Sequence, residues 1–482
     1  MPRRHIRVTG APEAPLRTAL TALRTELGVP GSFPPEVLVE AERAAKAPAR
    51  PPYDATDIPF FTVDPPTATD LDQAMHLSRQ GTRAGSGSGY RVRYAIADVA
   101  AFVVPSGALD GEAHRRVTTL YFPDLRVPLH PESLSEGAAS LLPGRDRPAV
   151  LWTIDLDADG RTLAVDVRRA LVRSRAKLDY AGVQKEIDGG TAEEPLALLK
   201  EIGELREKLE VERGGISLSV PEQEIVERDH TYELAYRAPL PADGWNAQIS
   251  LLTGMAAADL MLTGGTGILR TLPPAPDGAV GRLRRTAHAL RIDWPHHVSY
   301  AQLVRSLDPH RPHHAAFLQE CTTLLRGAGY TVFRDGALPA ITTHSAVAAP
   351  YAHCTAPLRR LADRYACEVC LAVAAGQPVP DRVRDGLDAL PARMAEGARR
   401  AGTVERECLD LVEGALLKDR VGEVFDGWVV DVEERRPAVG TVQLESPAVI
   451  GRIENTDGDP LPLGERLRVR LTRAAKVRFE PA

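Results

Sequence analysis

Thr62-Val63-Asp64-Pro65-Pro66-Thr67-Ala68-Thr69-Asp70-Leu71-Asp72-Gln73-Ala74-Met75 gathers three aspartates in one short stretch. Its prolines and threonines keep it from being helical. Carboxylates crowded into a loop repel one another, and something has to offset that repulsion. Water does so on an exposed loop. A hard divalent cation does so better, because Mg2+ takes carboxylate oxygens and keeps positions for water and phosphate. Two such ions about 3.5–4 Å apart clamp the attacking and leaving oxygens of a phosphodiester displacement. Taken alone, an Asp-rich loop is more often solvated surface than metal site, so the rest of the chain has to decide.

Composition sets the frame. At 482 residues the chain has room for two to four units at about 150 residues per domain. Its 44% hydrophobic and 26% charged residues suit a soluble globular protein. No apolar run approaches the ~18 residues of a transmembrane helix, and Met1-Pro2-Arg3-Arg4-His5 lacks a signal-peptide core. Five cysteines argue against a disulfide framework and for a reducing cytoplasm. Cys367 and Cys370 form a lone C-x-x-C, for which a helix interior is favoured over zinc. The net charge of −6 is not that of a typical nucleic-acid binder. Carboxylates that hold an ion are compensated locally, however, and basic residues can line a channel elsewhere. Residues 281–330 are basic (Arg282, Arg284, Arg285, Arg291, Arg305, Arg311, Arg326), which fits either ordinary helix surface or a track for a polyanion.

Along the chain, Leu16, Leu20, Leu23 and Leu27 fall at helical spacing, residues 28–35 break it, and 35–46 suggest a second helix before a proline-rich linker at 48–52. Two short helices bury little core alone. This arm, residues 1–52, either docks on the rest or extends a small nucleic-acid-binding module. Strand patterns follow at 91–104 and as a pair at 149–156 and 161–173 around Asp159-Gly160, with the Gly/Ser run 85–89 as a hairpin loop. Helices are expected at 180–187, 194–213, 246–263, 300–326, 357–374, 381–390 and 391–413. Strands and helices without regular alternation make the class α+β. Short strands at 424–433, 439–445, 449–454 and 466–471 suit a small barrel of the OB type, a common oligonucleotide binder. The division is an arm at 1–52, a central domain at 53–417 and a barrel at 418–482.

Distant motifs then line up. The acidic loop is followed by Ile96-Ala97-Asp98-Val99, Tyr121-Phe122-Pro123, Val127-Pro128-Leu129-His130-Pro131, Leu141-Leu142-Pro143-Gly144 and finally Tyr351-Ala352-His353-Cys354-Thr355-Ala356-Pro357-Leu358-Arg359-Arg360, with Asp363 just after. In this order they resemble the RNB catalytic domain of the RNase II and RNase R family of 3′→5′ exoribonucleases, over residues 53–417. The resemblance implies hydrolysis of single-stranded RNA to nucleoside 5′-monophosphates with Mg2+, or Mn2+, as cofactor. It implies metal ligation by Asp64, Asp70, Asp72 and the neighbouring Gln73. Asp72, Arg359 and Glu405 would be catalytic, Arg359 through the scissile phosphate, whose spread charge suits a planar guanidinium. Tyr121 and Tyr180 would hold the strand, since base stacking on an aromatic is worth about 1–3 kcal/mol and tolerates any base. Gln248 stands where the family has an RNA-contacting glutamate. Bland alternatives stand beside these roles. Tyr121 and Tyr180 could be ordinary half-buried aromatics, Glu405 a surface residue, and Asp98 a loop support; an i, i+3 ion pair is the favoured account of Arg360 and Asp363.

The chain departs from the family in five ways. Gln73 replaces the second of two adjacent aspartates, Gln248 replaces the glutamate and Gly254 replaces an asparagine. A unit charge 4 Å away is worth on the order of 4 kcal/mol at an effective dielectric of 20, so Gln73 should weaken a metal site. Residues 1–52 are also too few for the two cold-shock barrels usual before the catalytic domain, so a short variant lacking them is expected. Arg452, Arg466, Arg468 and Arg470 would give the C-terminal barrel a salt-sensitive grip on RNA in place of aromatics. A catalytically weakened or inactive RNA-binding protein on this scaffold is therefore the alternative function, and a DNA exonuclease a weaker third, because the resemblance points to RNA; the residues themselves show nothing that would recognise or exclude a 2′-hydroxyl. No membrane contact and no protein partner are expected.

Overall fold

The computed structural model describes residues 14–482 except 81–88, 219, 221, 229–230, 238, 277, 310, 326, 434, 445–446 and 448. The expected Gly/Ser loop at 85–89 therefore lies outside the described residues save Gly89, and Arg326 lies outside them too. Strands β1 (Tyr53–Val63), β2 (Gln73–Gln80), β3 (Gly89–Ala97), β6 (Asp146–Leu156) and β7 (Thr162–Leu178) close into a barrel. A two-stranded hairpin, β4 (Leu120–Tyr121) and β5 (Arg126–Val127), sits in the connection from β3 to β6. The pair expected around Asp159-Gly160 is β6–β7. β7 then returns parallel to β1, with Tyr53 opposite Ala170 and Val63 opposite Leu178. This closure puts the 64–72 loop at one end of the barrel, where β1 crosses to β2.

The period-two alternation of the strands sends neighbouring residues into two different cores. Tyr94, Ile96, Val150 and Trp152 face one, while Ala95, Ala97, Ala149 and Leu151 face the other. Both faces are buried, which is why these strands read as nearly continuous apolar runs. The arm helices α1 (Ala14–Glu26) and α2 (Pro35–Lys46) dock on the body. Val37 and Ala41 join the second core. Leu20 and Leu23 pack with Leu120, Phe122 and Val127 of the β4–β5 hairpin and with Val404 and Cys408. The first core is roofed by α4 (Tyr180–Asp188), α5 (Glu194–Glu212), α6 (Pro241–Gly264) and α10 (Leu361–Ala374), and α3 (Ala108–Arg116) contributes Ala113 to it. The hairpins β8–β9 (Glu222–Arg228, Thr231–Arg237), β10–β11 (Gly267–Thr271, Gly329–Phe333) and β12–β13 (Thr343–His344, Ala349–Pro350) decorate the central domain.

Two expected helices are redrawn. The single helix at 300–326 is instead α8 (Tyr300–Ser306), α9 (Pro312–Cys321) and a 3-10 turn at Thr322–Leu325, preceded by α7 (Ala279–Ala289). Pro309 and Pro312 break it, and Pro312 opens α9, where a missing N–H costs nothing. The helix expected from 357 starts at Leu361, because Arg360 bridges to Thr118 in extended conformation and the Ala356 N–H is taken by Asp363. Arg360 forks onto Asp363 at 2.9 and 2.7 Å, the ion pair expected at that spacing. Cys367 and Cys370 lie buried in α10 as free thiols. After α11 (Asp381–Leu387) and the long α12 (Leu390–Leu417), β14 (Val424–Glu433), β15 (Arg436–Leu444), β16 (Ile450–Glu454), β17 (Arg466–Arg473) and β18 (Arg478–Pro481) close a second five-stranded barrel, as an OB fold requires. The α+β class is as read from the sequence. Among the described residues no helix is long and apolar enough to cross a membrane.

The packing around His130 sets an acid limit on this fold. The ring is 2% exposed, and burial pulls its pKa down from 6.5 to about 3. The unfolded chain therefore takes up a proton near pH 6.5 that the folded chain refuses until near pH 3, so stability falls as pH drops through that window. Urea unfolding should show His130 contributing about 2 kcal/mol less at pH 5 than at pH 7, as the difference between wild type and His130→Leu. An identical pH dependence in both proteins would refute the assignment.

Candidate active site

The acidic loop is held from three sides. The Asp64 N–H donates to the Leu178 carbonyl at 3.0 Å, extending the β1–β7 pairing by one bond. Lys177 Nζ donates to the carbonyls of Pro66 (2.6 Å) and Ala68 (2.5 Å). Ser140 Oγ accepts from the Leu71 N–H at 2.9 Å and donates to the Thr69 carbonyl at 2.7 Å. This is a fixed loop on a barrel rim, not a solvated tip.

Asp72 joins the two distant motifs. Its carboxylate is 4% exposed; Oδ1 accepts the Leu358 N–H at 2.8 Å and Oδ2 accepts from Arg359 Nε at 3.1 Å. The Arg359 carbonyl in turn accepts from the Thr119 N–H (3.1 Å) and Thr118 Oγ1 (2.9 Å), anchoring that residue beside β4. Arg359 Nε is thus engaged by Asp72, with 32% of the side chain exposed. Burial pushes the Asp72 carboxyl up to about 7 and Asp64 up to about 6; Arg359 pulls both down and Asp70 pushes both up. Both carboxyls thus titrate closer to neutrality than an exposed aspartate, and positive charge brought beside them would favour their ionised forms.

A bound cation would relieve that cost, and carboxylate oxygens are donors of the kind Mg2+ takes. The oxygens are hard, and Asp64 has no ion pair among the described residues. No three His, Cys, Asp or Glu side chains among the described residues are gathered into an all-protein cage. Mg2+ ordinarily takes one or two carboxylates and completes its shell with water and substrate phosphate, so a cage is not needed. Asp70 is engaged by Arg126, whose Nη1 donates to Oδ1 at 2.5 Å.

The other expected residues distribute unevenly. Tyr180 opens α4 behind the cap of Asp179, which accepts the Gly182 N–H at 2.9 Å. Its hydroxyl accepts from Asn246 at 3.1 Å, and burial, then the nearby Asp64, push its phenol well above the usual range. Tyr121 lies half-buried on β4, close enough for its charge to act on Arg359. Glu405 is half-buried on α12 next to Val404, in the helix that packs against β4. Asp98 is buried and pairs with Arg169 at 2.8 Å.

Each departure from the family has a neighbour that accounts for it. Gln73 donates its amide to the Thr355 carbonyl, a bond an ionised aspartate cannot make. Gln248 is 3% exposed and donates to Glu210 at 2.6 Å; Arg305 holds the other Glu210 oxygen at 2.6 Å, and a glutamate at 248 would oppose two carboxylates. Gly254 touches Tyr351: a Cβ there would lie 2.2 Å from the ring. The structure thus draws Gln248 into the Glu210–Arg305 network. Asn246 and Ser250, one turn apart on α6, instead reach Tyr180 and Thr355 (2.9 Å). Neither was read from the sequence, although their i, i+4 spacing around Gln248 marks a second polar face of that helix. Arg126 was also missed, as a lone arginine in a turn carries no pattern.

The basic stretch is partly internal. Arg305 serves Glu210, and Arg284 stacks on Trp294 at 4.3 Å. On the C-terminal barrel, Arg452, Arg466 and Arg470 pair with Glu433, Asp426 and Glu480 at 3.0–3.7 Å.

The site thus sits on a five-stranded barrel with an acidic rim, a roof of helices and an appended OB-type barrel. The RNB domain matches residues 53–373, and the RNase II-type exonuclease C-terminal S1 domain matches 423–482. The chain belongs to the RNB, or RNase II/RNase R, family. It is 29% identical to ribonuclease R of Escherichia coli (strain K12) over 408 residues, covering 79% of this chain and 48% of that one. It thus spans about half the length of that relative. The fold superimposes on Mycoplasma genitalium RNase R in complex with ribose methylated single-stranded RNA (TM-score 0.82, 19% identity, 97% of this chain and 78% of the other). It also superimposes on yeast Ssd1, a pseudonuclease (TM-score 0.64, 16% identity, 89% and 52%).

Proposed function

We propose that this protein is a divalent-metal-dependent 3′→5′ exoribonuclease that degrades single-stranded RNA to nucleoside 5′-monophosphates in the reducing cytoplasm. The observation that carries it is the pair of hydrogen bonds that Asp72 accepts from the Leu358 N–H and Arg359 Nε, which joins the acidic loop to a partly exposed guanidinium. Asp64 and Asp70, with Asp72 and the Gln73 oxygen beside them, would hold Mg2+ or Mn2+. Such an ion, when bound, supplies Lewis-acid charge at the scissile phosphate. The remaining work falls to the chain. Arg359, oriented by Asp72, meets the charge that spreads over the phosphate oxygens. Tyr121 and Tyr180 stack and align the strand so that its last linkage meets the loop. Glu405 is the remaining acid of the expected catalytic set.

A labelled oligoribonucleotide and its DNA counterpart, incubated with Mg2+, Mn2+ or chelator, test this directly. The expected result is a 3′→5′ ladder on RNA that releases monophosphates and stops with chelator. The second reading, RNA binding without turnover, is favoured by one contact: Gln73 is tied to Thr355. Tight RNA binding with no ladder in either metal would establish it and overturn the first.

A further inference from the structure

Among the described residues, Arg126 touches the acidic loop through a carboxylate of the expected ligand set and lies on the β4–β5 hairpin that carries Tyr121. Its Nη1 donates to Asp70 at 2.5 Å, and its Nη2 donates to Thr69 Oγ1 (2.9 Å) and Glu136 Oε1 (2.8 Å). Thr69 closes the ring by donating to the other Glu136 oxygen. Arg126 stands directly opposite Tyr121 in the β4–β5 ladder, so both side chains leave the same face of the hairpin. A base stacked on Tyr121 therefore brings its own phosphate within reach of a guanidinium that is 30% exposed. The hairpin itself is braced from behind: Arg24 of α1 forks onto Asp124 at 2.8 and 3.1 Å and lies 5.2 Å over Phe122. With the backbone held, an exchange of partners at Arg126 needs only its side chain to move.

We infer that Arg126 is a positioning residue that couples RNA to the metal: without RNA it neutralises Asp70, and an RNA phosphate draws it off and frees that carboxylate for the ion. The inference rests on the function proposed above. It also gives the short acidic loop a way to stand without a cation, since Lys177, Arg126 and Arg359 each engage one part of it. Glu136 tunes the latch by competing for the same guanidinium. Because the competition is between two acceptors for one cation, the two variants that disturb it must act in opposite directions.

The test measures Mn2+ binding by calorimetry, with and without a 2′-O-methylated oligoadenylate, alongside thermal melts. Arg126→Gln is expected to bind Mn2+ at least about fivefold tighter than wild type without RNA, and to gain less affinity than wild type when the oligonucleotide is added. Glu136→Gln, which leaves Asp70 as the charged partner of Arg126, is expected to weaken Mn2+ binding without RNA at least about threefold and guards against a misfolded Arg126 variant. Equal Mn2+ affinity in all three proteins, or an equal gain from RNA in wild type and Arg126→Gln, overturns the coupling while leaving the nuclease reading intact. Failure of the wild type to bind Mn2+ even with RNA overturns both.

Discussion

Asp72→Asn should lower monophosphate release from single-stranded RNA by at least about a thousandfold while leaving the melting temperature nearly unchanged. The fold should survive because asparagine keeps an oxygen for the Leu358 N–H, the shorter of the two bonds that Asp72 accepts. The other side of the carboxylate is where function is lost. Arg359 Nε donates to Oδ2 at 3.1 Å, and an amide nitrogen there would present one donor to another. The guanidinium would then leave the orientation in which its amino groups face the substrate, and the loop would lose a charge beside the expected ion. The readout is turnover at saturating RNA and at several Mg2+ concentrations. A metal deficit alone would be rescued by more Mg2+; loss of Arg359 alignment would not. Wild-type turnover in the folded variant would refute the site.

The second large effect is on stability. Gly254→Ala should lower the stability by about 2–3 kcal/mol and the melting temperature by several degrees. The new Cβ would lie 2.2 Å from Tyr351 Cε2 and 2.7 Å from the Ala352 carbonyl oxygen. Neither neighbour can yield easily. The Ala352 N–H donates to the Gly254 carbonyl at 3.0 Å, and the Tyr351 ring is boxed edge-on by His344 and His353, with centroids 5.9 and 5.6 Å away. Tyr351 begins the segment that ends in Arg359, so turnover should fall along with stability. Differential scanning calorimetry checks the first part. A melting temperature within about 1 °C of wild type would show that the ring has room to move.

Much of this protein was legible before its structure. The Asp159-Gly160 turn between β6 and β7, the helical stretches of α6 and α10 and the short strands of the C-terminal barrel are local signals, and each element formed close to where it was expected. The order of the chemical motifs was likewise legible, because the residue types a phosphodiester site needs are few and stand in the chain as quotable strings. The first barrel was not legible as a barrel. Its closing pair, β1 with β7, joins Tyr53 to Ala170 in parallel, and no short-range turn announces such a pairing. The break at Pro309 and Pro312 was written in the sequence but outweighed there by apolar spacing on both sides.

By itself, then, the sequence determined the family and the α+β class, since these follow from local pattern and from the order of its motifs. Only the tertiary structure decided what the departures mean. Gln73, Gln248 and Gly254 looked like three losses from one site. Each instead has a specific neighbour far along the chain: the Thr355 carbonyl, the Glu210 carboxylate and the Tyr351 ring. The same holds for Arg126, an unremarked arginine until the loop brought Asp70 against it. A hydrogen bond or a steric limit is a property of two groups at a distance of a few ångströms, and the chain's order leaves that distance open until the fold is made.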